Sequence, residues 1–391
     1  MGTINHVIEL FHQHSLFYRS FIAFFFSFFI SFIFYEKIIL FNKSNRISEN
    51  IRFLGILGEK DKQNVPTMGG LGMILSTFIA TLLFSSLNNV YIFLLIIVML
   101  MTGCVGFLDD YIKIKYHKKG LSVISKILGQ IVIGTVVGTM MYFHPDISPQ
   151  NQENIYNKKK DSYGFQTDIP IFFMHHSKKS FDYSYILSWY SSELKKYTWI
   201  IFIPIIILKM IFFSNGSNIT DGIDGLATGI SFVIFIILSL FSIISSNSMY
   251  SKYFHIMYIP HSKEIIVFSL AFLGTLMSFF WYNAYPAQIF MGDTGSLTIG
   301  SLITTLSIIN RKEFVLSILC GIFFIENISV LIQVLYWQFS KRKYVIGKKV
   351  FLMAPIHHHF QKLGYHENKI FHRFFIIQII LSLLSIFVLL M

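Results

Sequence analysis

Five short polar clusters interrupt an otherwise apolar chain, and their residue types suit chemistry on a phosphate. Residues 215–225 read NGSNITDGIDG, which sets Asn218, Asp221, Gly222 and Asp224 in one stretch between apolar runs. Unpaired polar groups cost several kcal/mol each in hydrocarbon, so this stretch is expected to be a loop at the membrane surface or in a protein-lined cavity. Its glycines allow close approach to a ligand. Asp221 and Asp224, three apart, would share one face of a helix start, and carboxylates suit a hydrated divalent cation. Asp109 and Asp110 end another apolar run. On a helix they diverge by about 100°, so one can face a metal and the other a different partner. Residues 290–296 read FMGDTGS, placing Asp293 at the opening of a helix, where a phosphate is favoured and an acidic residue would bring a bridging metal. Just upstream, Asn283 and Phe290 could hold and stack a nucleobase. Residues 354–360 read APIHHHF, with His357, His358 and His359 suited to donating to phosphate or orienting carboxylates rather than sharing one metal. Lys62 precedes PTMGG at 66–70. Taken singly, each cluster also fits a capped turn or a close-packed helix entry.

Something must carry these clusters to one place. Of 391 residues, 54% are hydrophobic and 13% charged, against about 25% charged in soluble domains. This is the composition of an all-α polytopic integral membrane protein. Apolar runs near 17–40, 68–87, 90–108, 122–143, 198–213, 226–246, 264–282, 295–309, 314–339 and 371–391 predict about ten spans. Residues 1–391 are expected to form a single polytopic unit, with no cleavable signal at the N-terminus. The net charge of +12 is read as basic loops against anionic headgroups, not as nucleic-acid binding. Cys104 and Cys320 lie in apolar runs and read as buried hydrophobes.

An even number of spans puts both termini on one side. With both outside, the inner loops are 41–66, 109–121, 214–225, 283–294 and 340–370, and the three longest are basic. Every polar cluster then falls on the inner face. The outer loops, including the long 144–197, have length or charge but no comparable convergence. Acids, lysines, histidines and glycine-rich helix starts on one face describe a Mg²⁺–polyphosphate site with one partner in water and one in lipid.

DDYIK at 109–113, NITDGIDGLA at 218–227, NAYPAQIFMGDTGSL at 283–297, APIHHHF at 354–360 and PTMGG before them closely resemble the phospho-N-acetylmuramoyl-pentapeptide transferases. These belong to the polyprenyl-phosphate N-acetylhexosamine-1-phosphate transferase superfamily. The likeness runs from about residue 17 to the C-terminus, and PIHHHF points to the muramoyl-pentapeptide branch. The resemblance implies ten helices in a bacterial inner (cytoplasmic) membrane, with the active site facing the cytoplasm. It implies transfer of phospho-MurNAc-pentapeptide from UDP-MurNAc-pentapeptide to undecaprenyl phosphate, giving lipid I and UMP with Mg²⁺ as cofactor. It also implies a second copy of the chain as a candidate partner, since the family often dimerises. By motif matching, Asp109, Asp110 and Asp293 correspond to catalytic acids, and His357, His358 and His359 to the triple histidine. Lys62, Asn218, Asp221, Gly222, Asp224, Asn283 and Phe290 correspond to the substrate pocket, with Asp293 and Asp221 toward the metal. The chain departs from the pattern at Gln63-Asn64-Val65, which is less basic. The segment after DDYIK is about one residue short, so no individual lysine is assigned there.

Overall fold

Helices take up all ten apolar runs. The computed structural model describes residues 15–45, 47–48, 55, 62, 64–116, 120–147, 165–169, 180–343 and 347–390. In chain order its first helices are α1 (Leu16–Ser44), α2 (Gly70–Phe84), α3 (Val90–Tyr116) and α4 (Val123–Phe143). A two-stranded antiparallel hairpin, β1 (Gln166–Asp168) with β2 (Ser180–Asp182), follows, and then the short α5 (Ser184–Ser188). Next come α6 (Trp199–Thr220), α7 (Leu226–Ser246), the short α8 (Ser248–Tyr253), α9 (Ile265–Asn283) and α10 (Gly292–Ile309). The chain continues through α11 (Leu316–Leu319), α12 (Gly321–Lys343), α13 (Ile356–Lys362) and α14 (Glu367–Leu390). Among the described residues, eight helices are long and apolar enough to cross a membrane; α2, at 15 residues, is shorter. The protein is thus an all-α polytopic membrane protein.

α10 is the axis of the bundle. Every residue from Asp293 to Ile309 is buried, against α3, α6, α2 and α7. Its polar content is tolerated because it faces protein rather than lipid. Thr298, Thr304 and Thr305 return their hydroxyls to the carbonyls of Thr294, Gly300 and Ser301, one turn back. Small residues on α3 let the two helices touch. A Cβ at Gly106 would strike the backbone of Asp293 and Thr294, so the glycine sets how closely the acidic end of α3 meets the start of α10.

The structure corrects four local expectations, one of them that Cys104 is buried, for it is exposed on α3 while Cys320 is buried. Residues 215–220 are not loop: α6 runs on through Thr220, and only 221–225 turn. Asp221 therefore caps the end of α6 instead of sharing a helix start with Asp224. α3 likewise continues to Tyr116, so Asp109 and Asp110 lie within a helix rather than at its end. The run at 314–339 is broken at Cys320 between α11 and α12.

Polar convergence is not confined to one end either. At the C-terminus of α10, about 27 Å from its start, the hairpin closes over the turn at 311–313. Thr167 Oγ1 and the Asp168 amide both donate to the Arg311 carbonyl, at 2.9 and 3.0 Å. Asp168 pairs with the buried Lys312. The Tyr183 hydroxyl donates to Glu313 at 3.1 Å, and the Arg311 guanidinium lies over the Phe165 ring. Burial lowers the Lys312 ammonium and pulls Arg311 down to about 10, with Asp168 and Glu313 opposing the shift. Part of the long 144–197 loop is thus an anchored lid on the bundle.

Candidate active site

α3 delivers Asp109 and Asp110, and α10 begins with Asp293; together they form one group whose oxygens approach within 4.8 Å of one another. The two adjacent aspartates do different things. Asp110 is 3% exposed and caps α10 from outside. Its Oδ1 accepts the Asp293 amide at 3.0 Å, and its Oδ2 accepts the Thr294 amide at 2.9 Å and the Thr294 hydroxyl at 2.6 Å. α10 has Met291 at its N-cap position, which offers no capping side chain, so the helix start takes its acceptor from α3. The cap depends on Gly292, whose φ of +70° is left-handed and whose missing Cβ leaves room for the Asp110 carboxylate.

Asp109 is turned the other way. Its Oδ1 accepts the Leu121 amide at 2.6 Å, with the Lys126 ammonium at 3.1 Å. Its Oδ2 has the Lys113 ammonium at 2.8 Å but no aligned hydrogen bond. Lys113 also reaches Asp293 Oδ1 at 2.9 Å, and Lys126 pairs with Asp293 Oδ2. Each lysine therefore bridges Asp109 and Asp293, placing positive charge between two carboxylates that would otherwise repel. Neither lysine was assigned from the sequence. Lys113 lies one turn beyond Asp109 on α3, a spacing the sequence showed. Lys126 comes from the first turn of α4, which only the fold brings near.

The donor set suits a hard divalent cation: carboxylate oxygens, closely grouped, one of them buried without an aligned donor. Asp221, expected as a ligand with Asp293, caps the end of α6 and is not part of this group.

A second polar network holds the neighbouring loops. Lys62 pairs with Asp224 and with Glu367, each at 2.8 Å. Burial alone would lower the Lys62 ammonium, but Glu367 and Asp224 more than offset it and hold it above its ordinary value. Glu367, which the motifs do not contain, also accepts Gln361 Nε2 at 3.0 Å. The other Asp224 oxygen accepts the Ala287 amide at 3.0 Å. Asn283 is committed to structure: its Oδ1 accepts the Gly225 amide and the Thr228 hydroxyl, and its Nδ2 donates to the Ile289 carbonyl. Asn218 donates to Ser296 Oγ at 2.8 Å. The half-buried Phe290 is pinned by its backbone between Pro66 and Gly69, so PTMGG and the start of α10 are stitched together. Gly222 lies against His357, where a Cβ would meet the imidazole.

The three histidines sit on α13. His357 is fully buried, with Nδ1 3.1 Å from Glu326 of α12. His358 Nδ1 meets Gln361 Oε1 at 2.6 Å, and His359 Nδ1 accepts the Leu352 amide at 3.1 Å. Burial, and next the neighbouring His357, push His358 down to about 4.

A bundle of spanning helices carries an acid–lysine cluster at one end, and comparison with known proteins identifies a family of membrane transferases. Residues 90–311 match the family model for glycosyl transferase family 4. The phospho-N-acetylmuramoyl-pentapeptide-transferase of Flavobacterium psychrophilum is 45% identical over 382 residues, covering 94% of this chain and 92% of its own length. The proteins of that name from Flavobacterium johnsoniae and Amoebophilus asiaticus are 43% and 44% identical, covering 94% and 90% of this chain and 92% and 88% of their own lengths. The chain belongs to glycosyl transferase family 4, in its phospho-N-acetylmuramoyl-pentapeptide-transferase branch.

Proposed function

We propose that the protein transfers phospho-MurNAc-pentapeptide from UDP-MurNAc-pentapeptide to undecaprenyl phosphate, giving lipid I and UMP. It does so in the bacterial inner membrane, with the acid–lysine cluster facing the cytoplasm. The observation that carries this reading is the Asp109–Lys113–Asp293–Lys126 cluster at one end of the bundle, in a chain of this family.

The acceptor phosphate has its second pKa near about 6 and is largely anionic at neutral pH, so its attack needs charge neutralised more than a proton removed. Lys113 and Lys126 are placed to trade their carboxylate partners for phosphate oxygens. Asp109 holds Lys113 and Lys126 where they can meet the acceptor phosphate, so it orients that phosphate through the cations between them. Asp110 is excluded as the proton acceptor, since both its oxygens are committed to the start of α10. Asp109 and Asp293 would hold Mg²⁺, which when bound supplies the positive charge that steadies the diphosphate and the departing UMP. Asp221, Gly222, Asp224 and Phe290 form the nucleoside side, with Asn283, Asn218 and Lys62 fixing the loops that present it. His357, His358 and His359 line the diphosphate path.

The test is UMP release by purified protein in detergent. Release should need UDP-MurNAc-pentapeptide, undecaprenyl phosphate and Mg²⁺ together, and should stop with EDTA. Release supported by UDP-N-acetylglucosamine in place of the muramoyl substrate would overturn the assignment.

A further inference from the structure

One buried carboxylate lies in a spanning helix, α12, and belongs to none of the motifs. Glu326 is the sixth residue of α12 and is fully buried. An ionisable group in such a helix is expensive to keep and marks function by default. Among the described residues, neither Glu326 oxygen has an aligned hydrogen-bond donor, and its one ionic neighbour is His357, whose Nδ1 lies 3.1 Å from Oε2. The far nitrogen of that ring, Nε2, is buried without a partner and abuts Gly222 in the 221–225 turn.

The other two histidines are anchored at the same atom by different groups. His358 faces Gln361 Oε1, and because Gln361 gives its Nε2 to Glu367, the amide presents oxygen to the ring. His358 therefore carries its proton on Nδ1. His359 takes a backbone N–H at Nδ1 and so carries its proton on Nε2. Each ring turns Nδ1 toward a fixed neighbour, leaving Nε2 as the working edge, and His357 alone faces a buried carboxylate, at ion-pair distance without an aligned hydrogen bond.

We propose that Glu326 is a positioning residue for His357: it holds Nδ1–H and aims Nε2 at the 221–225 turn, where the nucleotide diphosphate is read. This rests on the function proposed above. The arrangement follows a general pattern in which a carboxylate fixes the tautomer and angle of a working imidazole.

The test compares Glu326→Leu, Glu326→Gln, His357→Gln and the Glu326→Leu/His357→Gln double variant. Glu326→Leu removes a buried charge but leaves the His357 Nδ1–H unpaired, so this variant should still fold and melt only a few degrees below the wild type. Its kcat for UMP release should nevertheless fall by about a hundredfold, on the scale of acid–base positioning. Glu326→Gln, which keeps an acceptor for Nδ1–H, should recover part of that loss. The double variant should lose no more than the worse single variant, because both changes remove one unit. Nitrogen NMR of protein labelled at histidine reads the His357 tautomer without turnover, so it reports even if the wild type released no UMP. In that spectrum Glu326→Leu should alter one ring, the one that His357→Gln deletes. An unchanged spectrum, a kcat within threefold of wild type, or losses that add in full would overturn the proposal.

Discussion

Asp109 and Asp110 are adjacent in sequence, yet removing their charges should have opposite signatures. In Asp110→Asn one oxygen still accepts the Asp293 amide, but the other becomes an NH₂ facing the Thr294 amide and hydroxyl. The Thr294 hydroxyl can rotate; its buried amide cannot, and an unpaired buried donor costs about 1–3 kcal/mol. Loss of the negative charge at the start of α10 adds about 1 kcal/mol. The sum, about 2–4 kcal/mol, falls on the most buried helix of the bundle. In Asp109→Asn the retained oxygen still accepts the Leu121 amide, and Lys113 and Lys126 keep Asp293 as partner. Asp109→Asn should therefore melt within about 1 °C of wild type, whereas Asp110→Asn should melt at least about 3 °C lower. UMP release should fall in both, by about a hundredfold or more in Asp109→Asn. The assay is thermal unfolding in detergent beside initial rates of UMP release. Equal melting temperatures for the two variants, or a larger loss in Asp109→Asn, would refute the division of labour.

Gly292→Ala should fail in the same way as loss of the Asp110 cap, with little folded protein on size exclusion, because the new Cβ meets that carboxylate at a left-handed φ; near-normal yield would contradict the steric argument. Lys62→Met leaves Asp224 and Glu367 facing each other and should cost about 3 kcal/mol. Since the Lys62 pKa is raised, its contribution is fully present below the ordinary lysine value of about 10.4 and is lost only as pH rises through the higher folded value. The melting gap between wild type and Lys62→Met should thus stay constant from about pH 6 to 9; a gap that closes in this range would count against the pairing. His358, pushed down to about 4, is neutral in the folded protein, so stability should fall as pH drops from about 6.5 toward that value and not above it. A His358→Gln variant should show a shallower acid fall, and an identical one would remove His358 as its source.

What the sequence made legible was what repeats along the chain or depends on spacing. Ten apolar runs became helices, and Asp293 does open one, as the glycines around it implied. Where the reading stopped short, the deciding contact was between segments far apart. Nothing at 109–110 says that Asp110 will cap a helix starting 182 residues later at Gly292, although a clue was present: Met291 cannot cap it, so an acceptor had to come from elsewhere. Asparagine, glycine and serine read locally as helix breakers, but α6 runs on through them to Thr220, burying Ser214, Gly216 and Ser217 against α10 and α12.

Glu326 was the opposite case, a signal in plain view. A single carboxylate in the apolar run at 314–339 has no local purpose, and the bilayer makes it costly to keep. The same logic accounts for Lys312 at the other end, buried with Asp168 where the hairpin closes over α10. α10 is therefore fixed at its start by Asp110 and at its finish by the 311–313 turn. That leaves Asp293 little freedom except in its side chain, whose two oxygens face Lys113 and Lys126. A firmly held helix that presents one carboxylate to two lysines suits a site whose lysines exchange a carboxylate for substrate without moving the backbone.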